Sequence, residues 1–166
     1  MQLEKVKHKD GETIIEWKTP NENDREAHVL QSKDEPEAAF TDALAALKAD
    51  ALGYLRLTDD EEDEEVEAEL TTVNIRRDIH GNLGFLFSVR RKVPGGTHSV
   101  TTHRLREPTE DSDPDSPVVL SEEQMKRLDE LKHQAIRYIQ GHRSQGEIEF
   151  PKDDEPTEPF PDKEAA

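Results

Sequence analysis

Cysteine is absent from the chain, which excludes disulfides, thiolate metal sites and a cysteine nucleophile. Aromatic residues are scarce, with five Phe, two Tyr and one Trp in 166 residues. No apolar run approaches the roughly 18 residues of a membrane-crossing helix. The opening Met1-Gln2-Leu3-Glu4-Lys5 carries no apolar stretch of signal-peptide type. Hydrophobic residues reach only 31%, against about 45–50% in ordinary soluble domains. These shortages predict a soluble, cytoplasmic protein that does not engage a membrane. They also predict a modest core that leaves part of the chain unpacked.

Acid is abundant. The 39 Asp and Glu outnumber 22 Lys and Arg, giving a net charge of -17 and a pI near 4.8. Asp59, Asp60, Glu61, Glu62, Asp63, Glu64 and Glu65 open a run that continues to Glu67 and Glu69. Charges this dense repel one another and stay solvated, so the run reads as a loop and as a candidate surface for a basic partner. Residues 107–117 hold Pro108, Pro114 and Pro117 among acids and read as a linker. From residue 148 to 166 prolines and acids dominate; too few apolar groups are present to offset ordering entropy, and a disordered tail is expected.

One stretch inverts the sign. Arg76, Arg77, Arg90, Arg91, Lys92, Arg104 and Arg106 stand against the single acid Asp78 within residues 74–106, a local charge of +6 that leaves -23 for the remainder. Antiparallel pairing of neighbouring strands brings such residues together. Two readings follow: a basic patch for phosphate or an acidic partner, or internal compensation of the adjacent acidic loop.

Between the breaks the patterning is clear. Residues 2–8 and 12–18 flank a Lys9-Asp10-Gly11-Glu12 turn and read as a hairpin, followed by a weaker strand from Arg25 to Gln31. Phe40, Ala43, Leu44, Leu47, Ala51 and Tyr54 recur at helical spacing, with Pro36 suited to the first turn and Gly53 to the C-terminal cap. Strand alternation returns over Val66, Ala68, Leu70 and Thr72, then shifts phase to Val73 and Ile75. Leu83, Phe85, Phe87 and Val89 form the strongest alternation, and residues 97–105 are rich in strand formers. Phe85 and Phe87 read as core residues, the alternative being a base-stacking platform. A last helix opens with Ser121 and Gln124 at capping-box spacing, carries Met125, Leu128, Leu131, Ala135, Tyr138 and Ile139 on one face, and ends at Gly141. The predicted fold is α+β: an antiparallel sheet of about six strands and two amphipathic helices in the order βββα-βββα. Residues 1–147 are expected to form one domain.

Sequence motifs for chemistry are missing. The seven His show no metal-ligand spacing, and no P-loop, dinucleotide fingerprint, nucleophile elbow or calcium loop occurs. The expectation is a non-catalytic protein without metal or cofactor.

The segment Ala135-Ile136-Arg137-Tyr138-Ile139-Gln140-Gly141-His142-Arg143-Ser144-Gln145-Gly146-Glu147 resembles the C-terminal part of a family of small uncharacterised bacteriophage proteins. The N-terminal Leu-Glu-Lys strand, the hairpin and the acid-flanked Pro-Glu-Ala helix resemble it too, so the likeness runs over residues 1–147. The acidic insertion at 59–65 and the tail depart from it. The resemblance implies a phage-encoded protein acting in the bacterial cytoplasm and transfers no catalytic residue. The functional expectation is a binding protein that acts on host or phage nucleic-acid machinery, as an acidic inhibitor of a host defence would. The alternatives are a replication or recombination accessory that touches nucleic acid through residues 76–106, and a small acidic structural protein.

Overall fold

The computed structural model of the chain describes residues 1–57 and 67–144. The acidic positions 59–65, Val66 and the tail expected at 148–166 lie outside the described residues.

The elements run β1 (Gln2–Lys9), β2 (Glu12–Pro20), β3 (Arg25–Ser32), α1 (Ala38–Tyr54), β4 (Ala68–Arg77), β5 (Leu83–Val93), β6 (Gly96–Thr101), β7 (Leu105–Arg106) and α2 (Glu122–Ile139). The fold is α+β, as the patterning predicts. One antiparallel sheet has the order β3-β2-β1-β4-β5-β6, with the short β7 also paired to β5. The two βββα halves therefore meet where β1 pairs with β4. Both helices lie on one face, and the buried apolar residues of sheet and helices form one cluster.

Local chemistry accounts for the elements. Asp10 and Gly11 both have positive φ, 52° and 74°, which makes the β1–β2 connection the type of two-residue turn that an Asp-Gly pair favours. Pro94 and Gly95 close the β5–β6 hairpin, with Gly95 at φ 94°. The phase change read in β4 is a bulge: the register shifts between Leu70 and Thr72, so Leu70 and Val73 share the helix-facing side despite a spacing of three. A similar shift between Leu3 and Lys5 puts Leu3 and Val6 on that side.

Helix α1 buries Phe40, Ala43, Leu44, Leu47 and Ala51, the predicted stripe. Its ends correct the sequence reading. Pro36 precedes the helix, which begins after Glu37. Gly53 is not the cap: the helix runs on to Tyr54, whose ring packs edge-on against His103 and whose hydroxyl donates to Gln124 Oε1 at 2.8 Å. The turn after it is made by Arg56 at φ 53°, with Arg56 N–H donating to Gly53 O and Leu57 N–H to Leu52 O, a Schellman closure that ordinarily uses glycine. The left-handed region costs a non-glycine residue roughly 1–2 kcal/mol. Arg56→Gly is therefore expected to stabilise the fold by about 0.5–1 kcal/mol after the added freedom of the unfolded chain is counted; a denaturant midpoint that falls contradicts it.

Helix α2 carries both bonds of the capping box between Ser121 and Gln124. It closes as expected at Gly141, φ 98°, with His142 N–H donating to Arg137 O. The segment after it packs back on the domain. Tyr138 hydroxyl donates to Asp34 O at 2.7 Å, Ser144 N–H donates to Glu35 O at 2.9 Å, and the Arg143 guanidinium stacks on the Tyr138 ring.

The predicted strand 97–105 divides into two. β6 pairs with β5 from Val93↔Gly96 to Ser88↔Thr101, whereas β7 pairs Phe85 with Leu105 and Gly84 with Arg106. Continuing the β6 register would set Arg104 opposite Phe85, facing the core, and Leu105 outward. One extra residue is accommodated at 102–104, and the faces exchange: Leu105 is fully buried and Arg104 is exposed. Burying a leucine and releasing a charged guanidinium both favour the slip.

Candidate functional site: the open face of the sheet

The helices leave one face of the sheet uncovered. Phe85 and Phe87, both fully buried, point to the helix side, so they are core residues as read from their alternation. Trp17 lies on that side too, half-buried and stacked on His28 at 5.3 Å. Among the described residues the open face carries no aromatic ring.

The seven basic residues do not form one patch. Arg90 is paired twice, with Asp10 at 2.7 Å and Glu69 at 2.8 Å, and Lys92 pairs with Glu67 at 2.8 Å. Glu67, Glu69, Arg90 and Lys92 line a shallow depression of about 390 Å³ at the start of β4, with Asp10 clasping it from the β1–β2 turn. The Arg90 guanidinium holds the Asp10 carboxyl below its ordinary 3.8. A depressed carboxylate contributes above its unfolded value and is lost as pH falls through the folded one. The clasp is expected to persist until the pH drops below the usual carboxylate range. An NMR titration of Asp10 should show a midpoint below 3.8 that returns toward 3.8 in Arg90→Ala; no movement on that substitution counts against the clasp.

Arg91 faces the helix side, opposite Ala68 and His98 in register. Arg77 donates from Nη1 to Gly81 O at 2.7 Å and serves the β4–β5 turn. Asp78 is spent on the same turn. Desolvation raises its carboxyl pKa, but the N–H groups of Asn82 and His80 outweigh that and hold it low.

Arg76, Arg104 and Arg106 converge. Gly84 on β5 pairs with Arg76 on one side and Arg106 on the other. The Arg104 guanidinium lies over Gly84, in the space that a side chain there would take. All three arginines are exposed, and none has an ion-pair partner among the described residues. Elsewhere on the sheet Lys5 pairs with Glu16 and Lys18 with Glu4. Among the described residues, acids compensate Arg90 and Lys92, and none pairs with this triad. Gly84 lies six residues from Arg90, about 20 Å at strand rise, well beyond the roughly 8 Å over which charges act at physiological salt.

The histidines considered as metal ligands are apart. His80 sits in the β4–β5 turn, His98 near the opposite end of β5, and His103 against Tyr54. Among the described residues no group of three or more His, Asp or Glu is placed to hold a metal ion. No described helix is long and apolar enough to cross a membrane.

Comparison with protein-family models, curated proteins and solved structures finds no match for this chain.

The charge is segregated along the chain. Residues 58–66 and 145–166 hold 15 of the 39 acids and 2 of the 22 basic residues, which leaves the described residues with 24 acids against 20 bases, a net -4. The sequence could show that segregation. It offers Arg76, Arg104 and Arg106 only as part of a seven-residue patch, because Arg104 reaches the open face only through the one-residue slip before β7.

Proposed function

We propose that the protein is a non-catalytic, phage-encoded binding protein of the bacterial cytoplasm that acts on nucleic-acid machinery through charge. Its acidic run at Asp59–Glu65 takes a basic protein partner, as an inhibitor of a host defence would. The observation that supports this reading is the segregation of charge along the sequence: residues 58–66 and 145–166 gather 15 of the 39 acids, and the remaining residues are nearly balanced. Acid used only for solubility has no reason to be gathered in this way.

Concentrated charge of one sign accelerates association with an oppositely charged partner and makes it salt-dependent. The test is affinity capture from a bacterial lysate with the wild type and with Glu61→Gln/Glu62→Gln/Asp63→Asn/Glu64→Gln. The wild type should retain basic nucleic-acid-binding proteins at about 0.05 M salt and release them at about 0.5 M. The variant should fold normally, and its association rate with a captured protein should fall about tenfold. Equal rates for the two, or capture indifferent to salt, defeat the proposal.

A further inference from the structure

A second charged surface lies at the far end of the β4–β5 ladder, and its reading is independent of the acidic run. We propose that Arg76, Arg104 and Arg106 form a site for phosphate groups on the open face around Gly84. Three adjacent strands supply it. Arg76 on β4 and Arg106 on β7 flank Gly84 on β5, so their Cα atoms stand about 10 Å apart at strand spacing. Arg104 crosses between them over the glycine. Guanidinium groups at that spacing can close on one phosphate or bridge two, each with a forked pair of donors that matches a phosphate edge.

The backbone under the site is anchored on both sides. Arg106 N–H donates to Val118 O at 2.7 Å, and Leu120 N–H returns to Arg106 O at 2.9 Å. Leu105 and Leu120 are buried beneath. Of the acids nearest in the chain, Asp78 serves its own turn, and Glu107 accepts the Leu83 N–H at 2.7 Å. Neither pairs with the triad. Among the described residues these three exposed cations have no ion-pair partner, and their mutual repulsion is a cost that a bound anion removes. The open face lacks aromatic rings among the described residues, so the chemistry fits phosphate rather than stacked bases.

The test uses the full chain with two probes, a fluorescein-labelled single-stranded 15-mer read by anisotropy and inorganic pyrophosphate read by calorimetry. Binding to the 15-mer should weaken with salt at a log–log slope of about -2, the value for three phosphate contacts on a single strand. Arg76→Ala/Arg104→Ala/Arg106→Ala should lose at least about tenfold in affinity for whichever probe binds, with an unchanged melting curve, because all three side chains are exposed. Arg91→Ala, on the other face, should bind as the wild type does. Gly84→Ala keeps every charge but forces the Arg104 guanidinium aside, and should weaken binding severalfold while the protein still folds. Binding of both probes identifies a nucleic-acid backbone as ligand; binding of pyrophosphate alone identifies a small phosphorylated molecule. Failure of both probes at about 0.05 M salt overturns the proposal, as does a triple variant that binds like the wild type. A Gly84→Ala protein with full affinity overturns the built geometry.

Discussion

Phe87→Ala is expected to lower the free energy of unfolding by about 3–5 kcal/mol. Phe87 is fully buried on the helix-facing side of β5, opposite Val73 on β4. Removing its ring forfeits transfer free energy and leaves a cavity that the two flanking strands cannot collapse without breaking their ladder. Small domains have about 5–15 kcal/mol in total, so the loss is a large part of what this one holds. The neighbouring Leu86 points to the open face and is partly exposed. Leu86→Ala should cost less than about 1 kcal/mol. Urea melts of both variants measure the contrast. Equal and small losses would return the phenylalanines to the role of surface rings, against their burial.

That contrast also shows what a sequence of this kind discloses. Where the apolar residues are few and regularly spaced, period and face can be read directly: Leu83, Phe85, Phe87 and Val89 admit one arrangement. So does α2, whose stripe and capping box agree with each other. Reading fails where a single residue shifts the register. Thr71 in β4 announces its bulge through a change of phase, because apolar residues stand on both sides of it. The slip at 102–104 has only Leu105 beyond it, and one residue does not define a phase. The grouping of Arg76, Arg104 and Arg106 apart from the other four basic residues depends on that slip, so sequence patterning offers all seven as one patch and does not single out the three. The end of α1 escapes for another reason. Gly53 has the right residue type for a cap, but the packing of Tyr54 against His103 and Gln124 carries the helix two residues further and places Arg56 in the strained position.

Between the helices, Asp50→Ala is expected to cost about 2 kcal/mol. Asp50 on α1 accepts both Arg127 Nε at 2.8 Å and Arg127 Nη2 at 2.9 Å, together with Gln124 Nε2 at 3.3 Å. Its side chain is 12% exposed and that of Arg127 35%. Exposed pairs are worth up to about 1 kcal/mol, and breaking a buried one costs about 3–5 kcal/mol; this pair stands between those limits. Gln124 makes the site more than a pair, since its Oε1 also accepts Ser121 N–H at 2.9 Å and Tyr54 hydroxyl at 2.8 Å. The same glutamine thus caps α2 and ties it to α1. Arg127→Ala should cost at least as much as Asp50→Ala, because it strands the more buried carboxylate. The double variant should cost less than the sum of the singles by about 1 kcal/mol. Burial is the main cause that raises the Tyr54 hydroxyl pKa above 10.0, with the Gln124 bond opposing it and the Asp50 charge adding to it. A raised folded value means that the contribution of this group is intact below pH 10 and declines as pH rises through the folded value. Tyr54→Phe should abolish that alkaline component of the stability profile. Additive single costs, or an alkaline profile indifferent to Tyr54→Phe, would show that the two helices are held by their apolar stripes alone.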